Sequence, residues 1–161
     1  MSERALKKFP GAMPRVFVIL NTMLGFEEML VRLLLAVALG AAIGIERELA
    51  GKAAGIRTDI LVAAGAAIFA MIGLSLPYLV AVDGQNLSEV IARNSGFLTV
   101  IANIVVGVGF LGAGIIIKEG MHVYGVTTAA TVWLVAAVGT LSGIGLTSFA
   151  VASSLVIIVL L

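Results

Sequence analysis

Long apolar segments alternate with short polar segments along the chain after residue 27. Each apolar segment is close to the roughly 20 residues that an α-helix needs to cross the hydrocarbon core of a bilayer. Because backbone polar groups in lipid must be bonded within their own segment, such segments are expected to be helical. The pattern therefore predicts an all-α, polytopic membrane helix bundle with about five transmembrane helices, over residues 28–45, 60–82, 96–117, 126–142 and 146–161.

The connections between these spans are short and polar. Residues 46–59 follow the first span and carry six charged side chains. Residues 83–86 form a turn signal, and residues 87–95 are expected to form an interfacial turn of helix. Pro77 is expected to kink or end the second span, because proline lacks the N–H that a helix interior requires.

Composition also indicates a lipid environment. Hydrophobic residues make up 61% of the chain and charged residues 12%, whereas an average soluble domain has about 25% charged residues. The mean hydropathy is +1.19. The net charge of +1 gives no basic field for nucleic acid, and the lack of cysteine excludes a disulfide framework and a thiolate site.

The two ends of the chain differ from the rest. Basic residues precede a short apolar run near the N-terminus, but no small-residue cleavage site follows, so residues 1–27 are expected to form a basic leader on the membrane surface. The last predicted span has 16 residues and no polar stop, from which we expect truncation of a longer protein. The five spans leave five basic residues on one side and four on the other, so the positive-inside rule does not fix the orientation.

The 19 glycines are concentrated in the predicted spans. Small residues four apart share a helix face and let a neighbouring helix approach closely. Such a face either packs the bundle or meets another subunit, and the sequence leaves both open. Four glycines within eight residues of the third span predict a break, a re-entrant turn or a tight crossing, because each costs up to about 1 kcal/mol in a helix. The predicted packing residues are Gly40, Gly44, Gly107, Gly109, Gly112, Gly114, Gly139 and Gly143.

Polar residues at three places are candidates for function. The connection after the first span alternates acids and bases, which indicates either solvated anchoring pairs or a charged site at the mouth of the bundle. Asn103 lies near the middle of the third span and is expected to point into the bundle, as packing glue or as a cavity-lining ligand. Thr127, Thr128 and Thr131 open the fourth span, where a hydroxyl can cap the helix and the helix start favours anions.

Chemistry of the enzymatic kind has little support in the sequence. The only histidine, His122, falls in a predicted loop and is a weak metal signal. We find no nucleophile with a base beside it and no phosphate-binding loop. The sequence therefore predicts a protein that is not an enzyme and has no cofactor.

Four linked motifs resemble the MgtC/SapB family of bacterial inner-membrane proteins. Their order and spacing agree from about residue 29 to residue 145. The motifs are GIERE at 44–48, GIRT at 55–58 followed by LVAAGAAIF at 61–69, GVGFLGAG at 107–114 with Glu119 and Gly120 behind it, and VYGVTTAATVW at 123–133. The chain departs from the family pattern at Thr99, where arginine is common, and at Asn103, where glutamine is common.

The resemblance implies a five-span domain, residues 28–161, in the bacterial inner (plasma) membrane with its N-terminus outside. The connections after the first and third spans would then face the cytoplasm. Many family members carry a soluble C-terminal domain, and we expect this chain to be a truncated or short form without it. The candidate functional residues are Glu46, Arg47, Arg57, Thr58, Asn103, Glu119, Thr127, Thr128 and Thr131.

The resemblance also links the chain to magnesium homeostasis and, in pathogens, to survival inside host cells. Mg²⁺ requires oxygen ligands in octahedral geometry, yet predicted spans two to five contain no aspartate or glutamate. We therefore favour a non-enzymatic regulator, homo-oligomeric in the lipid bilayer, that binds partner membrane proteins; the resemblance suggests membrane ATPases or proton ATP synthase. The alternative is a magnesium or small-solute transporter with a path lined by Asn103, Thr127 and Thr131.

Overall fold

The computed structural model describes residues 25–80 and 96–161. Its helices are α1 (Phe26–Leu49), α2 (Ile56–Val80), α3 (Gly96–Ile115), α4 (Val126–Ile144) and α5 (Thr147–Leu160). A hairpin of β1 (Ile117–Glu119) and β2 (His122–Tyr124) connects α3 to α4. The predicted all-α bundle is confirmed. The predicted leader up to residue 24, the turn at 83–86 and the segment 87–95 lie outside the described residues.

Four of the helices, α1 to α4, are long and apolar enough to cross a membrane. Helix α5 has 14 residues, which corresponds to about 21 Å, whereas the hydrocarbon core is about 30 Å thick. The fifth predicted span is therefore a shorter helix than the other four.

The connection between α1 and α2 is shorter than predicted. Helix α1 continues through the charged GIERE motif to Leu49, and α2 already begins at Ile56. Acidic Glu27 and Glu28 lie in the first turn of α1 and basic Arg47 in its last turn, an arrangement that favours the helix dipole at both ends. Charged residues therefore extend the helix here, and the prediction that they end it at residue 45 is wrong.

Helices α2 and α3 are also more continuous than predicted. Helix α2 continues past Pro77 to Val80, so the proline does not end it. Helix α3 passes without interruption through the four glycines of residues 107–114, and the predicted break or re-entrant turn is wrong. A continuous helix bonds its own backbone groups, which lipid cannot do. The predicted loop after α3 is the hairpin, with Gly120 at φ 59° in its two-residue turn, as a type II′ turn requires.

The core lies where α2 packs between α1 and α4. Small residues line it, among them Ala36, Ala63 and Ala67, which are fully buried. A Cβ on Gly40 would lie 2.7 Å from the carbonyl oxygen of Asp59, a distance that real side chains avoid. Cβ atoms on Gly139 and Gly143 would overlap the backbone of Ala63 and Ala67 in the same way. The glycine faces of α1 and α4 therefore hold the bundle together by close backbone approach.

Candidate functional site

Two charged side chains are buried where α1 ends and α2 begins. Gly40, Gly44 and Arg47 are spaced by four and three residues and so share one face of α1. This face meets Asp59 on α2, because a Cβ on Gly44 would lie 3.2 Å from the Cβ of Asp59. Arg47 is 2% exposed and Asp59 is 0% exposed. We name Glu46, Arg47 and Asp59 the Arg47 cluster.

The guanidinium of Arg47 is bound on one side by its neighbour in sequence. Its Nε donates to Glu46 Oε2 at 2.5 Å and its Nη2 donates to Glu46 Oε1 at 2.9 Å. This bidentate geometry is the strong form of an arginine–carboxylate pair. The Nη2 group also donates to the backbone carbonyl of Leu161 at 3.4 Å. The predicted solvated anchoring pairs are therefore wrong for Arg47, which ties α1 to the end of α5 from inside the bundle.

Asp59 is the polar residue that sequence reasoning missed. Neither of its carboxylate oxygens accepts a hydrogen bond from the described residues. Arg47 supplies the positive charge that acts on it, although the described residues form no ion pair with Asp59 within 4.0 Å. A buried carboxylate without bonds is strongly unfavourable. The available signal was its spacing, because Asp59 precedes the small residues Ala63 and Ala67 by four and eight positions on one helix face.

The remaining residues of the first connection support α2 from outside. The Glu48 carboxylate accepts a hydrogen bond from the backbone N–H of Ile56 at 3.2 Å. Ile56 is the first residue of α2, so Glu48 satisfies one of the free donors at the start of that helix. Arg57 is exposed and Thr58 is half-buried. These two predicted site residues are therefore more exposed than Arg47.

The threonines at the start of α4 have different surroundings. Thr127 is exposed, whereas Thr128 and Thr131 are 4% and 2% exposed. The Thr131 hydroxyl donates to the backbone carbonyl of Thr127 at 3.0 Å. The N-cap of α4 is Gly125 at φ 84°, without a side-chain hydrogen bond. The prediction of a threonine cap is therefore wrong, because the sharp turn out of the hairpin requires a left-handed residue, which glycine adopts without strain.

Asn103 lies on the outside of the bundle. Its side chain is exposed and lines an apolar groove between α2 and α3, with a cavity of 540 Å³. The expectation that it points into the bundle of its own chain is wrong, because α3 turns its opposite side, with Val108 and Gly112, toward the bundle. Glu119 is exposed on the hairpin. The nine predicted residues therefore do not converge on a single site.

The glycines of α3 lack the neighbours that the glycines of α1 and α4 have. A Cβ on Gly112 would contact Ala129 on α4 at 3.5 Å. A Cβ on Gly107, Gly109 or Gly114 would meet no atom within 4 Å. Of the four glycines in residues 107–114, one thus packs against the bundle and three have open space at the Cβ position.

A second arginine binds at the other end of α1. Arg32 forms an ion pair with Glu28 at 2.9 Å, and its Nη1 donates to the carbonyl of Gly143 at 3.1 Å. Gly143 lies in the last turn of α4, where free carbonyls attract a positive charge. Arg32 therefore joins α1 to α4 and has a structural role.

Metal-binding chemistry is sparse in residues 25–80 and 96–161. These residues contain no group of three or more histidine, aspartate or glutamate side chains that could hold a metal ion. His122 stacks on Tyr124 across a centroid distance of 6.4 Å and is exposed on β2. The Arg47 cluster is thus the most unusual polar feature of the described chain.

Comparison with known proteins identifies the family. The profile of the MgtC family matches residues 33–161. A Synechocystis protein described as uncharacterized is 42% identical over 134 residues, which are 83% of this chain and 51% of the relative. Protein MgtC of Brucella abortus is 45% identical over 123 residues, 76% of this chain and 45% of the relative. Protein MgtC of Salmonella typhimurium is 40% identical over 129 residues, 80% of this chain and 49% of the relative.

The chain spans about half the length of these relatives. No solved structure matches it. The family profile covers most of the chain, and the two relatives named MgtC are at least 40% identical to it. On these grounds the chain belongs to the MgtC family.

Proposed function

We propose that this protein is a non-enzymatic regulator of magnesium homeostasis that acts by binding other membrane proteins. The observation that carries the proposal is the outer surface of α3. Gly109 and Ala113 share one face of this helix and are both exposed, and a Cβ on Gly109 would meet no atom within 4 Å. Small residues on an open helix face allow a second helix to approach to backbone contact, which favours association within lipid.

The proposal assigns the Arg47 cluster a supporting role. The buried charges at the junction of α1 and α2 fix how these two helices meet. Helix α4 packs on α2 through its own glycines. A rigid base of three helices lets the open face of α3 be presented in one orientation. We place the protein in the bacterial inner membrane with its N-terminus outside, and membrane ATPases or proton ATP synthase among its partners, as the family resemblance suggests.

Transport is the second candidate, and Asp59 is the observation that favours it. Its two buried oxygens accept no hydrogen bond from the described residues, and carboxylate oxygen is a ligand that Mg²⁺ prefers. The remaining geometry argues against a path. Asn103 opens to the outside and the Thr131 hydroxyl is already bonded to a backbone carbonyl. Mg²⁺ also needs several oxygens in octahedral geometry, and Asp59 supplies two from one side chain.

Two measurements on the same variants test the proposal. Liposomes that contain the purified protein should take up no Mg²⁺ above empty liposomes. In a host strain that lacks its own MgtC, Gly109→Leu should abolish growth in low magnesium while the protein level and melting temperature stay unchanged. Ala152→Leu is the control, because Ala152 is also an exposed small residue, on α5.

The transport candidate predicts the opposite results. Liposomes would take up Mg²⁺, Asp59→Asn would abolish that uptake, and Gly109→Leu would leave growth intact. That combination would contradict the regulator proposal.

A further inference from the structure

The groove between α2 and α3 is an apolar surface with one polar group in it. Leu61, Gly65 and Phe69 of α2 line one wall, and Asn103 and Gly107 of α3 belong to the other. Its cavity of 540 Å³ is open to the outside of the bundle. Among the described lining residues, Asn103 alone has a polar side chain, and none of the described residues forms a hydrogen bond with it. A carboxamide exposed in hydrocarbon gains stability from any partner that bonds to it.

The same side of α3 also carries a large exposed ring. Asn103, Gly107, Phe110 and Gly114 are spaced by four, three and four residues, which places them in one stripe along the helix. Phe110 is 81% exposed, and neither Gly107 nor Gly114 has an atom near its Cβ position. The stripe therefore presents a projecting ring beside the groove.

We propose that this stripe and groove bind a second copy of the same chain. Two copies in one membrane share the same orientation, so a two-fold axis along the membrane normal would bring their α3 helices together in parallel. Asn103 would then lie opposite Asn103 of the partner subunit at the same depth in the membrane. A carboxamide both donates and accepts hydrogen bonds, so it is complementary to itself.

Shape supports the same occupant. In a two-fold contact each surface must fit itself. Phe110 of each copy would enter the other copy's groove beside Gly107, where the lack of a side chain leaves room. A single asparagine in an apolar helix contact fixes register and oligomeric state, so the depth of Asn103 would set the alignment of the pair. This inference does not rest on the proposed function, since Gly109 and Ala113 lie on a different side of α3.

Disulfide cross-linking in native membranes tests the proposal directly, because the chain has no cysteine of its own. Asn103→Cys and Phe110→Cys should each give a cross-linked dimer. Ala102→Cys and Gly109→Cys are controls at matched depth, because each is one residue away and points about 100° around the helix; both residues are exposed. These two controls should stay monomeric.

A second measurement, made without cysteine at the contact, tests whether the introduced cysteines themselves cause the association. Energy transfer between labelled copies in a bilayer should show that Asn103→Leu raises the dimer dissociation constant about threefold to thirtyfold. Asn103→Gln should restore association, because it keeps the carboxamide. Cross-linking at all four positions, or at the two control positions only, would overturn the proposal. Four monomeric cysteine variants would also overturn it, and this result is expected if lipid or another protein fills the groove.

Discussion

Helices α3 and α4 both carry closely spaced glycines, and the two sets lie in opposite surroundings. In α4, Gly139 and Gly143 press against the backbone of α2, where no side chain would fit. In α3, Gly107 and Gly109 face open space. The comparison teaches that a glycine ladder in a membrane helix has two uses: it closes a bundle, or it keeps a surface open for another helix.

Stability should therefore depend on the α1–α2–α4 interface and hardly at all on the open side of α3. The largest effect is expected at Arg47. Arg47→Met removes the positive charge that acts on Asp59, although the two groups form no ion pair within 4.0 Å. The buried carboxylate is then left without a compensating charge, which should cost about 3–5 kcal/mol. Chemical or thermal unfolding in detergent micelles measures the loss.

A double variant separates this effect from simple misfolding. Arg47→Met combined with Asp59→Leu removes both buried charges and should recover most of the stability that Arg47→Met loses. Equal stability of Arg47→Met and the wild type would contradict the buried position of this side chain.

The next effect compares two valines. Val135 on α4 is 0% exposed and Val106 on α3 is 72% exposed. Val135→Ala leaves a cavity in a closed interface and should lower the free energy of unfolding by about 1–3 kcal/mol. Val106→Ala should change it by less than about 0.5 kcal/mol. Melting curves of the two variants, recorded under the same conditions, measure both losses. A larger loss for Val106→Ala than for Val135→Ala would contradict the distinction between a closed interface and an open surface.

A smaller effect is expected where Glu48 caps α2. Glu48→Ala leaves the backbone N–H of Ile56 without its acceptor and should cost about 1 kcal/mol. Glu119→Ala removes an acid from the exposed hairpin and serves as the control, with no change expected. Unfolding curves in detergent distinguish the two variants. Identical curves would mean that Glu48 does not stabilise the start of α2.

The smallest effect is expected at Arg32. Arg32→Gln weakens the contact with the carbonyl of Gly143 and should cost about 0.3–1 kcal/mol, as for other charges at helix ends. The part of the loss that comes from the ion pair should shrink at high salt, because its other member, Glu28, is half-exposed and charges near solvent are screened. If Arg32→Gln lowered the free energy of unfolding as much as Arg47→Met, Arg32 and Arg47 would have to be buried to the same degree.

The helices could be predicted from the sequence, and their ends only in part. Hydropathy locates spans because lipid leaves the backbone no other bonded conformation. It misplaces the end of α1, because Glu46, Arg47 and Glu48 are good helix formers even though they are polar. The closely spaced glycines of the third span also predicted a break that does not form in α3.

The site was harder to predict, for a physical reason. Burial of Asp59 and exposure of Asn103 depend on which face each helix turns toward its neighbours, and the hydropathy of a uniformly apolar helix does not encode that rotation. The glycines of α1 and α4 face the backbone of α2, where small residues on both helices match. For α3 the sequence left two interpretations open, and the structure favours the open face.

The most direct test of this account is a glycine-to-alanine scan read out by melting temperature in detergent. Alanine at Gly40, Gly44, Gly139 or Gly143 should lower the melting temperature, because its methyl group has no room. Alanine at Gly107, Gly109 or Gly114 should leave it unchanged or raise it, because alanine is the better helix former where nothing is near. A similar loss at all seven positions would contradict the distinction between a closed interface and an open helix.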